Sequence, residues 1–147
     1  MRAPTQVRFE RLQKLMERLN VEAENGGVIV VEGLRDKESL RMMGIKGKIL
    51  CLQNSRRNTL SFAEQFGGEG NVIVLTDFDR QGVFLANRLN RILNSQNVNA
   101  NLILWRELRA LTRSELRSVE ELPRLFARLQ SGVHTHRSLV ADIRRHS

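Results

Sequence analysis

The stretch Val72 to Gly82 reads VIVLTDFDRQG: an apolar, β-branched run that ends abruptly in Thr76, Asp77, Phe78, Asp79, Arg80, Gln81 and Gly82. Such a run, bounded by turn-forming residues, predicts a strand buried on both faces, as in parallel sheets covered by helices. Its twin lies upstream, where Val28 to Asp36 reads VIVVEGLRD. Asn25, Gly26 and Gly27 precede that run and Glu32 and Gly33 follow it, so a strand is predicted over Val28 to Val31.

Outward from these two strands, the rest of the chain alternates. Phe9, Leu12, Leu15, Met16 and Leu19 recur at helical spacing and predict an amphipathic helix from Thr5 to about Glu24. Asp36 to Met43 predicts a short helix closed by Gly44, and Ile49 to Leu52 a short strand. Leu60, Phe62, Ala63 and Phe66 predict another helix, and Val83 to Leu93 a long one. The apolar run Leu102 to Trp105 predicts a fourth strand. Leu108 to Gln130 reads as helical, while residues 132–147 carry weak periodicity around Leu139, Val140 and Ile143, as in a short helix or a weakly structured tail. Strands alternating with helical crossovers imply an α/β fold with a mainly parallel four-stranded sheet between helical layers. The predicted organisation is an N-terminal helix over residues 1–26, a core over 27–105, a helical extension over 106–131 and the tail.

In parallel sheets ligands bind beyond the carboxyl ends of the strands. Glu32, with Asp36 four residues on, follows the first strand; Asp77 and Asp79 follow the third. If these carboxylates converge, each pair at about 4 Å repels by roughly 4 kcal/mol at an effective dielectric near 20. A hard divalent cation with oxygen ligands, Mg²⁺ or Mn²⁺ in its place, offsets that. The aspartates also suit helix caps and first-turn positions. Glu32, at the end of a β-branched strand and followed by glycine, does not.

The pair VIVVEGLRD and VIVLTDFDRQG, in this order, resembles the two-part signature of Toprim domains, the catalytic module of topoisomerases, bacterial-type primases and certain RNA-maturation and repair nucleases. The resemblance spans about Gly27 to Trp105 and implies a Rossmann-like three-layer sandwich. It also implies that Glu32 acts as general acid or base or assists the metal, that Asp77 and Asp79 hold Mg²⁺, and that Asp36 fills an acidic position of the first motif. Gln81 departs from the Arg-Glu-Gly continuation found in type IA topoisomerases, which removes one carboxylate. The chain has no tyrosine, so it performs no tyrosine-based strand passage. A single cysteine, with His134 and His136, builds no closed zinc site of the kind that primases carry. What remains is similar to small ribosomal-RNA maturation nucleases. Haloacid-dehalogenase-like phosphatases and response-regulator receivers need a lysine late in the chain, where none follows Lys48, and Gly47-Lys48-Ile49 does not complete a P-loop.

The net charge of +8 predicts an anionic partner, RNA or DNA. Arg56 and Arg57, after the second strand, and Arg80, beside Asp79, are the candidate phosphate contacts. Arg106, Arg109, Arg113 and Arg117 recur at helical spacing and suit either a backbone-contacting face or a solvated ion-pair face. Cys51 sits in an apolar run and reads as core; the lone thiol predicts a reducing compartment, the cytoplasm. No stretch approaches a membrane span. Two functions follow from these features: Mg²⁺-dependent phosphodiester hydrolysis, or a non-catalytic nucleic-acid-binding or adaptor module that retains the metal site.

Overall fold

The computed structural model describes residues 4–54, 66, 70–112 and 115–145, with side chains described as far as Val133. Helix α1 (Thr5–Glu24) leads into strand β1 (Val28–Val31), followed by α2 (Leu34–Met42) and β2 (Ile49–Cys51). Then come β3 (Asn71–Val74), α3 (Arg80–Ser95), β4 (Asn99–Asn101), α4 (Ile103–Leu111), a single 3₁₀ turn at Val119–Glu121, and α5 (Leu122–Arg145). The helix read at Leu60 to Phe66 falls, Phe66 apart, outside the described residues.

All strand pairs are parallel, in the order β2-β1-β3-β4. Register pairs Ile29 with both Ile49 and Ile73, so the two β-branched runs lie at the centre of the sheet. Ile29, Val31, Ile73 and Val74 are fully buried, as strands covered on both faces must be. From β1 the chain turns through α2 to β2 on one side; from β3 it turns through α3 to β4 on the other. Right-handed crossovers running in opposite directions put α2 and α3 on opposite faces, which makes the three-layer, Rossmann-like sandwich. Helix α1 packs against α4 and α5, and α2 against α5, completing one helical layer. The buried stripe of α1, Arg8, Leu12, Leu15, Met16, Leu19 and Ala23, is the one its periodicity predicts.

The fourth strand corrects the sequence reading. Leu102 to Trp105 is not a strand: β4 is Asn99–Asn101, and α4 begins at Ile103. A run of four apolar residues does not distinguish a strand from the buried face of a helix. Leu104, Trp105 and Leu108 are buried while Ile103 is exposed, which is helical rather than alternating burial. β4 is a polar edge strand held by the β3 ladder and by an Asn99 to Asn71 side-chain hydrogen bond of 3.0 Å. Asn101 Oδ1 accepts the Ile103 amide at 3.0 Å and so starts α4.

The helix expected from Leu108 to Gln130 is interrupted: α4 ends at Leu111, and a turn separates it from α5. Helix α5 then continues to Arg145, through the segment read as a weakly structured tail. Gly132, the first residue of that segment, is a packing position. A Cβ there would lie 2.9 Å from Thr5 Cγ2, so its absence allows α5 to approach α1. Among the described residues, no helix is long and apolar enough to cross a membrane.

Candidate functional site

Strand β1 has β2 on one side and β3 on the other, so the topological switch point is the crevice beyond the carboxyl ends of β1 and β3. Glu32 and Asp77 are the residues the chain supplies there. They meet: the Asp77 amide donates to Glu32 Oε2 at 2.6 Å, across 45 residues of sequence. The strand order brings them together, since β1 and β3 are direct neighbours with Val30 opposite Val74.

The segment after β3 is folded back tightly. Asp79 caps α3, its Oδ1 accepting the Gly82 amide at 2.8 Å, and the Thr76 hydroxyl donates to the Gly82 carbonyl at 2.8 Å. A Cβ on Gly82 would lie 1.9 Å from the Asp77 carbonyl oxygen, a backbone atom that cannot swing aside. Only glycine fits, and the turn that presents Asp77 depends on it. Trp105 is buried and its Nε1 donates to the Thr76 carbonyl at 2.9 Å, so the indole holds the strand end from below.

Asp36 lies behind this pair, 6% exposed, with Oδ2 accepting the Gly33 amide at 3.0 Å. Both the capping and the acidic-cluster readings of the aspartates therefore have a basis: Asp79 and Asp36 are caps, yet both act electrostatically on their neighbours. Burial first, then the charge of Glu32, pushes the Asp77 carboxyl up to about 7. Burial first, then the charge of Asp77, pushes Asp36 up to about 6.

What partly offsets the crowding is a segment that the sequence reading passed over as continuous helix. Between α4 and α5 the chain crosses the switch point. The Val119 amide donates to Asp77 Oδ1 at 3.1 Å, and the Glu120 amide to Asp36. The Arg117 carbonyl accepts the amides of Phe78 at 2.7 Å and Asp79 at 3.2 Å. This turn is shaped by Glu121, whose Oε2 accepts the Arg117 and Ser118 amides at 2.8 and 3.0 Å. Burial pushes the Glu121 carboxyl up, but those two amides, with the Ser118 hydroxyl and the charge of Arg124, outweigh it and hold the group below its ordinary range. Ser39 Oγ donates to the Glu120 carbonyl at 3.1 Å, docking the turn on α2. Ser118 and Glu121 carry the S-x-x-E capping-box pattern, the local signal that a helix begins here.

Among the described residues, no Arg or Lys forms an ion pair with Glu32, Asp36, Asp77 or Asp79. Nor do three or more His, Cys, Asp or Glu side chains form a metal-ligand group among them. The arrangement is the Glu32 carboxylate held on the Asp77 amide, with the Asp77 carboxyl interacting with the same glutamate, flanked by the exposed Asp79 and backed by the buried Asp36. Arg80 is exposed at the first position of α3, beside Asp79. Arg56, Arg57 and Arg113, and the side chains of His134 and His136, lie outside the described residues. Arg106 and Arg109 are exposed on α4, but Arg117 belongs to the turn, so the arginine series does not share one helix. Cys51 is buried and its thiol is pushed up by that burial, as fits a core position.

A Rossmann-like parallel sheet with a carboxylate-lined crevice at its switch point is the class of protein that this fold and site define. The chain belongs to the UPF0292 family: it is 34% identical over 125 residues to the UPF0292 protein of Methanosarcina acetivorans, covering 84% of this chain and 85% of that one. The UPF0292 proteins of Thermococcus kodakarensis and Pyrococcus furiosus are 34% and 35% identical over 123 and 122 residues, covering 84% and 83% of this chain and 89% and 88% of theirs. A solved structure of an Aquifex aeolicus protein superposes with a TM-score of 0.61 at 24% identity, over 74% of this chain and 94% of that one, a likeness of fold. No family model matches the chain.

Proposed function

We propose that the protein is a Toprim-like enzyme that hydrolyses phosphodiester bonds of RNA or DNA with Mg²⁺. The observation that carries this reading is the contact of Glu32 with Asp77 at the switch point, without a cationic partner among the described residues. Two carboxylates suit Mg²⁺, which keeps several waters and commonly takes one or two protein carboxylates together with substrate phosphate. Hard oxygen donors, one of them pushed up to about 7 by burial and then by the charge of Glu32, are the donor set such an ion relieves. When bound, the ion supplies positive charge to the phosphate and acidifies water.

Glu32 takes a proton from the attacking water as its oxygen bonds to phosphorus, and the departing ester oxygen takes a proton from solvent water as its bond to phosphorus breaks. Asp77 and Asp79 would hold the ion, with Glu32 assisting, and Asp36 supports Asp77 from behind. The Val119 and Glu120 amides keep the two inner carboxylates in place. Arg80, exposed next to Asp79, is placed to meet a phosphate, and the net charge of +8 draws a polyanion to the surface.

The test is incubation of the purified protein with end-labelled RNA and DNA in Mg²⁺, in Mn²⁺ and in chelator. Cleavage is expected only with metal, and Glu32→Gln is expected to slow it about 10²–10⁴-fold. Metal-independent cleavage, or full activity in Glu32→Gln, overturns the proposal.

A further inference from the structure

Helix α3 carries its buried residues, Gly82, Ala86, Leu89 and Leu93, on one side. On the other, Arg80, Phe84, Arg88 and Arg91 follow one another at intervals of four, four and three residues, a single stripe along the helix. All four are exposed, Phe84 by 62%, and Asn87 lies between them, also exposed. The stripe begins one residue past Asp79 and runs about 16 Å at 1.5 Å per residue. From Arg80 to Arg106 the chain contains no Asp or Glu.

A single exposed apolar side chain is ordinary, and an arginine face is ordinary when glutamates interleave with it. Neither account covers this face. Its arginines have no acidic neighbours on their own helix and no ion-pair partner among the described residues. The other exposed large apolar side chains among those residues are Val21, Leu34, Met42 and Ile103, so Phe84 is the one aromatic of the group, and it sits between arginines. Flat ring and planar cations together fit a chain of alternating bases and phosphates. In a duplex the bases are stacked on each other and a ring on a convex helix meets only backbone; an unpaired base can lie on it.

We infer that the outer face of α3 is a single-stranded nucleic-acid track that delivers the strand to the acidic crevice, with Phe84 stacking a base and Arg80, Arg88 and Arg91 contacting phosphates. This rests on the nucleic-acid reading of the site but not on hydrolysis.

The experiment is fluorescence anisotropy of labelled 12-mer oligouridylate, oligothymidylate and a duplex of equal length, in chelator, across a salt series. Single strands are expected to bind more tightly than duplex. Phe84→Ala and Phe84→Leu are each expected to weaken single-strand binding roughly 5- to 100-fold, the range for one lost stacking contact, while Phe84→Trp keeps it. The Arg88→Gln/Arg91→Gln pair is expected to make the log–log salt slope shallower by about 1.4, some 0.7 for each phosphate contact. The uridylate and thymidylate arms show which sugar is preferred. All these side chains are exposed, so melting temperatures are expected to stay unchanged and serve as the fold control. Single-strand binding lost in Phe84→Ala supports the track whether or not Mg²⁺ then yields cleavage. Preference for duplex, unaltered affinity in Phe84→Ala and the arginine pair, or absence of binding to all three probes overturns it.

Discussion

At the scale of single residues, the chemistry of this protein turns on two aspartates whose carboxyl groups lie above their ordinary value of 3.8, Asp77 at about 7 and Asp36 at about 6. The folded metal-free protein therefore holds protons there that the unfolded chain has released, between about pH 4 and pH 7. Stability contributed by these groups is greatest below the unfolded value and is lost as pH rises through 6 and 7. Thermal melts in chelator at pH 5 and pH 8 are expected to show the wild type losing melting temperature on going to pH 8, by roughly 2–4 °C per kcal/mol. Asp77→Asn is expected to lose less, because it removes both its own burial cost and the charge acting on Asp36. An equal loss in the two proteins would remove Asp77 as the source. Gly82 belongs to the same scale: Gly82→Ala must move the Asp77 carbonyl and is expected to cost about 1–3 kcal/mol in stability, measured by urea unfolding.

At the scale of elements, apolar runs were good guides where burial is two-sided and poor ones at the sheet edge. Val28 to Val31 and Val72 to Val74 were legible because a strand buried on both faces needs uninterrupted β-branched residues. Asn99–Asn101 was not, since an edge strand of three residues joins by backbone hydrogen bonds and has no apolar pattern to show. Leu102 to Trp105 was mistaken for it because four apolar residues fit either element. Mutation separates the two: Leu104→Ala is expected to cost about 2–5 kcal/mol, and Ile103→Ala to stay within about 0.5 kcal/mol. Comparable losses at both positions would contradict a helix that buries one and exposes the other.

At the scale of the whole molecule, the site depends on a segment far from it in sequence. The turn before α5 puts the Val119 amide on Asp77 and the Arg117 carbonyl on Phe78 and Asp79, while Glu121 fixes its shape. Arg8, Glu115 and Arg128 form linked ion pairs that tie α1 and α5 to the chain just ahead of that turn. Glu121→Ala removes a charged acceptor from two amides and is expected to cost about 1.5 kcal/mol in stability. It is also expected to weaken the Mg²⁺-induced rise in melting temperature, though Glu121 does not itself touch Glu32. A stability loss with the Mg²⁺ response intact would mean that the turn does not position the site.

By itself, then, the sequence determined the alternating α/β order and the positions of Glu32, Asp77 and Asp79 at strand ends, since hydrophobic period and turn residues report local burial directly. Tertiary structure alone decided that β1 and β3 are neighbours, so that two acids 45 residues apart share one crevice. It alone set the Val119 amide, 42 residues beyond Asp77, against that carboxylate, and left the arginine and phenylalanine face of α3 uncovered. Contacts of such long range are fixed by which faces pack together, and periodicity carries no record of that.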